Sequence, residues 1–566
     1  DRVDMYGERS ECINISLLQD RMANLGVKPA EVLATLNGQN ETTYSGYYDN
    51  GDNRIRVTVN DRFKTVDDIG KMFIQGHDDD QLRLRDIALI EKGYEDPTRN
   101  EMFYNQERSI GILVAASSGS DIVKVGKAVE AKLAELKDNR LPAGVDCHKI
   151  FYQPERVGDS LGTFVINLIE SVVIVVFILM LAMGFKSGLI IGISLVVTVF
   201  GSFLFLQFAG GTMQRVSLAA FVLAMGMLVD NAIVVYDAAL VNMQRGMRKR
   251  VAILNAVSST AMPLLGATLI AVLTFLPVYL SPHITGEILS SLFIVIAVSL
   301  LLSWVLAITQ NVFFVQEFVR RPRPEELKNE LFTGRIYDFF RKALSFTIRK
   351  RYTVVGCMVV LLAVAGWGFR YIPQQFMPLL NKQYFSVDMW LTEGTRIEES
   401  EKQAAQLTEY LQTFDGVKKV STYIGQTPPR YYLANAAYGP QPNYAQCLIE
   451  AETPEKSREL QEILYHKLPE KFQDALIRVN SFEINSIPQT LIEARFCGDD
   501  PAVLDSLTNI AIGIMRKNPK VLNARNEWGN MAMMIKAGYD PVKAGRLNIG
   551  RSDMMNAVKS VSTERP

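Results

Sequence analysis

The sequence predicts an α+β membrane protein, in which a bundle of transmembrane helices is joined to water-exposed parts built from split βαβ units. Apolar residues crowd into 161–316 and 352–372, whereas the rest of the 566-residue chain has the composition of a soluble protein. The 60 basic and 60 acidic side chains cancel. Zero net charge excludes the basic surplus of a nucleic-acid-binding protein.

Six apolar segments reach or approach the roughly 20 residues that a helix needs to cross a bilayer core. A core helix of a soluble protein can resemble one such segment, but six in one chain indicate a membrane bundle. The predicted spans are 161–183, 188–211, 216–240, 251–280, 288–315 and 352–369.

The charges of the loops predict how the spans are oriented. The loop after the third span contains Arg245, Arg248, Lys249 and Arg250, and the connection after the fifth contains ten basic residues. Because basic loops remain cytoplasmic, residues 1–155 and 373–566 are expected together on the outer side, which is the periplasm in a bacterium. Segment 327–345 is expected to be an amphipathic helix on the cytoplasmic surface.

The soluble parts repeat a strand–helix–strand pattern. The first unit is predicted at 109–115, 121–136 and 149–151, the second at 385–391, 397–414 and 417–423, and the third at 491–496 and 501–517.

A second repeat links the two ends of the chain. The segment LGVKPAEV at 25–32 resembles LNIGRSDM at 547–554, and each follows a predicted strand, at 12–17 and 531–537. The matching strands favour a tandem duplication over a chance similarity of eight residues. We therefore expect the chain to be part of a longer duplicated protein.

Two charged residues lie away from the ends of the predicted spans, namely Glu170 in the first and Asp230 in the third. A carboxylate inside a membrane costs a few kcal/mol on insertion scales, which favours a functional interpretation. Asn231 adds an amide beside Asp230, and Asp237 follows on the same helix face, nearer the cytoplasmic end. An acid that takes up a proton on one side and releases it on the other can drive an antiporter. The alternatives are a helix-joining role for Asp230 and Glu170, and an interfacial position for Asp237.

The five cysteines and four histidines indicate no site for covalent or metal chemistry. No two cysteines form a CxxC pair, and no nucleophile motif accompanies the scattered histidines. We therefore expect no enzyme activity, no bound metal and no cofactor other than the proton gradient.

Several motifs resemble those of the resistance-nodulation-division (RND) efflux permeases, most closely the exporters of hydrophobic and amphiphilic drugs. LVDNAIVV at 228–235 resembles the fourth-helix motif, and LIESV at 168–172 the acidic motif of the second helix. FLP at 275–277 is similar to the fifth-helix pattern, FMP at 376–378 to the exit of the seventh helix, and RLRDIA at 83–88 to the strand leaving the docking segment.

The resemblance implies that the spans are helices two to seven of twelve, with porter and docking subdomains on the periplasmic side. The implied division is 1–10 (end of a porter strand), 11–93 (docking), 94–155 (porter), 156–316 (helices two to six), 317–351 (cytoplasmic connector), 352–372 (helix seven), 373–485 and 486–530 (porter) and 531–566 (docking).

The resemblance also implies an activity and partners. Such a protein is a homotrimeric proton/substrate antiporter in the inner membrane of a Gram-negative bacterium. It works with a periplasmic adaptor and an outer-membrane channel. In this family the porter pocket is rich in aromatic side chains, which suits loosely specified apolar ligands. The substrate-binding candidates are Tyr6, Phe151, Tyr431, Tyr432 and Tyr438, with local packing as the alternative for each.

Some positions depart from the pattern of the family. Many drug exporters have a second aspartate where this chain has Asn231, and a Thr-Pro where it has Thr309 and Gln310. Asp237 replaces the usual glutamate. The basic and hydroxyl partners of the aspartates come from later helices in the family.

Two other functions compete with drug export. A heavy-metal cation exporter of the same superfamily would need a methionine cluster in the porter cleft, for which Met389 is the candidate. A non-transporting, lipid-sensing membrane regulator would not need an acid in the middle of the membrane, so Asp230 argues against it.

Overall fold

The computed structural model describes residues 2–40, 44–58, 63–75, 81–208, 214–282, 284–320, 335–372, 382–428, 430, 437–482, 492–518, 521, 524–529 and 532–562. They belong to two compact units. The first combines Asp1–Ser117 with Gln374–Pro566, and the second is Ser118–Pro373.

The first unit begins with short strands and helices. In chain order they are β1 (Arg2–Tyr6), β2 (Glu11–Leu17), α1 (Gln19–Asn24), α2 (Pro29–Asn40), β3 (Tyr44–Asn50), β4 (Asn53–Thr58), α3 (Val66–Gly70), β5 (Phe73–Gln75), β6 (Gln81–Arg83), α4 (Leu84–Ile87), β7 (Ala88–Tyr94), β8 (Glu101–Tyr104), β9 (Glu107–Arg108) and β10 (Gly111–Ala115).

The second unit is helical in its described residues. Its helices are α5 (Ile122–Asn139), α6 (Gln153–Met183), α7 (Phe185–Phe208), α8 (Arg215–Gln244), α9 (Lys249–Tyr279), α10 (Ile284–Ile308), α11 (Gln310–Phe318), α12 (Arg335–Arg349) and α13 (Arg351–Phe369).

The chain then returns to the first unit. The remaining elements are β11 (Tyr384–Trp390), α14 (Ile397–Gln412), β12 (Val417–Ile424), β13 (Tyr444–Ala451), α15 (Pro454–Lys471), β14 (Leu476–Ser481), α16 (Pro501–Met515), α17 (Pro541–Arg546) and α18 (Arg551–Ser562).

The structure contains the six predicted spans. Six of its described helical segments are long and apolar enough to cross a membrane, and they coincide with the predicted ones. The fifth is interrupted at Thr309, which separates α10 from α11. The Thr309 hydroxyl donates to the Val305 carbonyl, and Asn311 donates to the Ala232 carbonyl on α8. These side-chain bonds accompany the interruption of the helix at Thr309.

A six-stranded antiparallel sheet dominates the described part of the first unit, with the order β14-β11-β13-β12-β8-β9. β8 pairs with β12, so that Tyr104 lies opposite Ser421 and Glu101 opposite Ile424. Period-two alternation directs Phe385 and Val387 into an apolar core with α14 and α15. Asp388 and its neighbours at alternate positions therefore lie on the other face.

The strand predictions are confirmed only in part. The second βαβ unit forms as β11, α14 and β12, and the helices of the other units form as α5 and α16. The strands predicted at 149–151, at the described residues 492–496 and at 532–537 were wrong, since none of these segments is in a strand. A strand needs a neighbour for its backbone hydrogen bonds, and the described chain supplies none there. Lys149 instead forms an ion pair with Glu130 on α5.

The predicted end-to-end repeat is visible in the backbone. Leu25 (φ −98°, ψ 2°) and Leu547 (φ −98°, ψ 5°) each end a short helix. The next residues, Gly26 and Asn548, both have positive φ, 67° and 52°. The amides of Val27 and Ile549 then bond to carbonyls five residues back, which is the Schellman arrangement. The two copies share this turn, although the strand predicted before the second copy does not form at the described residues 532–537.

Small residues hold α6 and α7 together. A Cβ atom at Gly188 would lie 2.5 Å from the Met180 backbone nitrogen, and one at Gly192 would lie 2.6 Å from Val176. Since the Met180 backbone cannot yield like a flexible side chain, the turn after Met183 depends on glycine at position 188.

We predict that Gly188→Ala destabilises the bundle by about 1–3 kcal/mol, because the added methyl overpacks the α6–α7 contact. Thermal unfolding of the detergent-solubilised protein measures the effect. Gly266→Ala is the matched control, because a Cβ atom there meets nothing within 4 Å. Equal melting temperatures for the two variants would contradict this account.

Candidate functional site

The first candidate site lies halfway along α8, where two adjacent polar residues face different ways. Successive helical residues are rotated by about 100°, so Asp230 and Asn231 cannot share one environment. Asn231 is 5% exposed, whereas Asp230 is exposed on the described bundle. An acid in the middle of a membrane span is expected to be buried against other helices, but the described helices leave Asp230 exposed and bury Asn231 instead.

Asn231 joins three helices. Its Oδ1 accepts from the Thr268 hydroxyl of α9 at 3.4 Å, and its Nδ2 donates to the Ser303 hydroxyl of α10, also at 3.4 Å. Ser303 in turn donates to the Leu228 carbonyl of α8 at 2.6 Å. We call Asn231, Thr268 and Ser303 the polar clasp. Because buried polar groups require partners, the clasp determines which face of α8 turns inward.

The clasp leaves an open stripe on the other side of α8. Gly226, Asp230 and Asp237 are all exposed there, and a Cβ atom at Gly226 would meet nothing within 4 Å. Asp237 lies roughly 10 Å beyond Asp230 along the helix axis. Glu170 is exposed on α6. Among the described residues no hydrogen bond or ion pair joins the three acids.

The second candidate site lies on the six-stranded sheet, on the face away from α14 and α15. Trp390, Tyr438 and Tyr444 form a ring cluster, with ring centroids 5.2–5.5 Å apart. Tyr444 is fully buried, whereas Trp390 and Tyr438 are half-buried. Contacts of this kind between tilted rings are favourable and produce a rigid apolar wall.

A buried carboxylate lies behind these rings. Asp388 is 3% exposed and accepts hydrogen bonds from Tyr444 (2.9 Å), Gln446 (2.7 Å) and Asn480 (2.7 Å). Burial raises the pKa of this carboxyl above its ordinary value of 3.8, although the three donors and the Arg478 charge oppose the shift. Asp388 and Trp390 were not predicted from the sequence, although an acid in the middle of an alternating apolar strand was an available signal.

Tyr6 secures the loop that carries Tyr438. It is 1% exposed, its ring meets Tyr423 edge-on at 5.3 Å, and its hydroxyl donates to the Ile424 and Gln426 carbonyls. Burial and the neighbouring Tyr423 raise the pKa of the Tyr6 hydroxyl. Farther along the loop, the Thr427 hydroxyl accepts from the Tyr438 amide at 2.9 Å. Tyr6 and Thr427 therefore hold the described ends of this loop in place.

The other predicted substrate residues do not join this cluster in the described structure. Phe151 belongs to the second unit, where its ring lies under the Arg156 guanidinium at 4.7 Å. Tyr431 and Tyr432 lie outside the described residues, as does the motif at 376–378. Met389, the candidate ligand of a metal exporter, is buried in the apolar core of the sheet.

The structure combines six apolar helical spans with a mixed helix-and-sheet unit. Together with the known relatives of the chain, these features identify a membrane transporter. A match to the AcrB/AcrD/AcrF family extends over residues 1–565. The chain therefore belongs to this family of RND permeases.

Multidrug resistance proteins are among its relatives. The chain is 23% identical over 381 residues to multidrug resistance protein MdtC of Escherichia coli O139:H28 (strain E24377A / ETEC). It is 24% identical over the same length to the proteins of that name in Shigella sonnei (strain Ss046) and E. coli (strain K12). Each match covers 66% of this chain and 37% of the relative.

We predict that Asn231→Leu lowers the free energy of unfolding by about 1–3 kcal/mol, because it leaves the Thr268 hydroxyl of the polar clasp without its partner. Asp230→Asn should leave stability unchanged, since Asp230 makes no contact of this kind in the described chain. Thermal unfolding in detergent compares the two variants, and a larger loss for Asp230→Asn would refute the assignment of the clasp.

A second prediction concerns pH. A carboxyl whose pKa is raised in the folded state binds more protons there than in the unfolded state. Its contribution to stability therefore decreases as pH rises above 3.8. We expect the melting temperature of Asp388→Asn, relative to the unsubstituted protein, to increase between about pH 4 and about pH 7. A parallel pH dependence of the two proteins would show that Asp388 is not the titrating group.

Proposed function

We propose that this chain is part of a proton/substrate antiporter that exports amphiphilic small molecules, and that Asp230 is the proton-carrying group. The single observation that carries the proposal is the position of Asp230. It is an acid in the middle of an apolar span, on a stripe of α8 that the polar clasp turns away from its own bundle.

An acid in the middle of a membrane span has a high energetic cost, so its presence there favours a functional role. Insertion of an aspartate at the centre of a membrane helix costs a few kcal/mol, and such residues mark ion or proton pathways. Asn231 already provides the helix-joining contacts at this level, so Asp230 is not needed for that purpose. Because Asn231 makes the structural contacts, a functional role is favoured over a structural role for Asp230.

The open stripe leaves space for a further helix. Gly226 is one turn before Asp230 on the same face, and a small residue allows the close approach of another helix. The relatives are longer than this chain, since the match covers 66% of this chain and 37% of the relative. We propose that a helix of the complete permease packs against this stripe and carries the basic or hydroxyl partner of Asp230.

The other acids have subordinate roles in the proposal. Asp237 lies nearer the basic loop at Arg245–Arg250 and would guide protons at the cytoplasmic end. Glu170 would act on the α6 side. A proton gradient drives the cycle, and no cofactor is required.

The ring cluster is proposed as the substrate-contacting part of the first unit. Rigid aromatic walls bind apolar bodies of varied shape without demanding one hydrogen-bond pattern. Tyr438 would contact substrate directly, Tyr6 would hold the loop in place, and Tyr431 and Tyr432 would complete the loop. Phe151 would contribute only if the assembled permease brings it to the same cleft.

We further propose the assembly known for this class. The permease would be a homotrimer in the inner membrane of a Gram-negative bacterium, with residues 1–155 and 373–566 in the periplasm. There it would meet a periplasmic adaptor and an outer-membrane channel. The relatives named as multidrug resistance proteins support drugs as cargo. Among the described residues, no group of three or more His, Cys, Asp or Glu side chains could hold a metal ion.

The test is Asp230→Asn in the complete permease, assayed for efflux of a fluorescent amphiphile from proteoliposomes under an imposed proton gradient. We expect proton-driven export to fall by about a hundredfold or more, because the amide cannot exchange a proton. Binding of the dye without a gradient should not change. Glu170→Gln and Asp237→Asn are matched carboxylate controls and should reduce export less. Undiminished export by Asp230→Asn would remove this residue from the mechanism.

A further inference from the structure

A charged side chain of the described residues lies against the ring cluster. Arg525 is half-buried, and its guanidinium carbon lies 5.7 Å from the centroid of the Trp390 ring. A guanidinium over a tryptophan face is held by a cation–π interaction. This contact places the positive charge at the edge of the ring cluster.

The negative charge nearby is enclosed. Both oxygens of Asp388 already accept hydrogen bonds, and the side chain lies behind Tyr444 with almost no exposed surface. Arg478 is opposite Asp388 on the neighbouring strand and lowers the pKa of that carboxyl through its charge. A ligand on the rings would therefore meet Asp388 only through Tyr444, and the Arg478 charge offsets that of the carboxylate.

Arg525 has no anionic partner among the described residues, where no ion pair or side-chain hydrogen bond includes it. The acid Asp505 does not depend on Arg525 for a hydrogen-bond partner either. Asp505, which faces the same segment, accepts from Asn509 at 3.1 Å and from Asn526 at 3.0 Å. A guanidinium presents a planar set of donors that suits a carboxylate or sulfonate. This half-buried cation, unpaired within the described part of the chain, lies beside an apolar wall and is therefore complementary to an amphiphile that carries a negative charge.

We propose that the ring cluster and Arg525 together bind amphiphilic organic anions. The apolar or aromatic body of the ligand packs on Trp390 and Tyr438, and its anionic group pairs with Arg525. The inference rests on the proposed export function and narrows its substrate class. Arg525 is thus a residue that determines the sign of the charge the site accepts.

Two probes of nearly the same shape and opposite charge test the proposal, namely tetraphenylborate and tetraphenylphosphonium. Their dissociation constants are measured by calorimetry on the complete permease in detergent, with no proton gradient. The variants are Arg525→Gln, which removes the charge, Arg525→Lys, which keeps it, and Trp390→Leu, which removes the ring. Each variant is first checked for an unchanged melting temperature.

We expect Arg525→Gln to weaken tetraphenylborate binding by about tenfold, while tetraphenylphosphonium binding stays the same or becomes tighter. Arg525→Lys should restore part of the loss, and Trp390→Leu should weaken both probes. Equal changes for the two probes in Arg525→Gln would overturn the proposal. So would tighter phosphonium binding with unchanged borate binding, since Arg525 would then only occupy a site for cations. No effect of Trp390→Leu on either probe would also overturn it.

The outcome is separable from that for Asp230. Binding is measured at equilibrium without a gradient, so a failure of proton coupling in Asp230→Asn does not alter the comparison of the two probes. Conversely, a normal effect of Asp230→Asn on export with no charge discrimination at Arg525 would leave the antiporter standing and remove only the anion site.

Discussion

The hydrogen bonds that Asn231 makes in the membrane bundle join α8, α9 and α10 at the level of Asp230. Within an apolar helix, a polar side chain must find its partners on neighbouring helices. Thr268 and Ser303 meet Asn231 from two helices and so determine the rotation of α8. This rotation presents small and apolar residues such as Ala224 and Leu228 to the core. It leaves Asp230 exposed on the opposite side, as the proposed proton exchange would require.

The same separation of structural from functional groups recurs in the first unit. The sheet buries Phe385 and Val387 against its helices. Asp388 and Tyr444 on the opposite face are joined by a hydrogen bond of 2.9 Å. One side of the sheet thus packs the apolar core, while the other carries the rings and charges proposed to contact a ligand. In both units, one face of a helix or strand packs in the core, and the other face carries the candidate functional residues.

The extent to which the sequence predicts this protein differs between the two units. Span positions could be predicted, because a helix in lipid must satisfy its backbone internally and so needs a continuous apolar run. Strands at 149–151 and 532–537 were predicted wrongly, because strand formation depends on a neighbour that local sequence cannot supply. The Gly26–Asn548 correspondence could be predicted, since a helix that ends in a left-handed residue leaves a local signature.

The sequence by itself determined the membrane class, the spans and the acid at position 230, because each depends on composition or on short-range periodicity. Only the tertiary structure decided that Asn231 is buried while Asp230 is open. It also brought Arg525 over Trp390, 135 positions earlier in the chain. These outcomes depend on which side chains meet across distant segments. Contacts between side chains of distant segments are determined by packing and by the requirement that buried polar groups find partners.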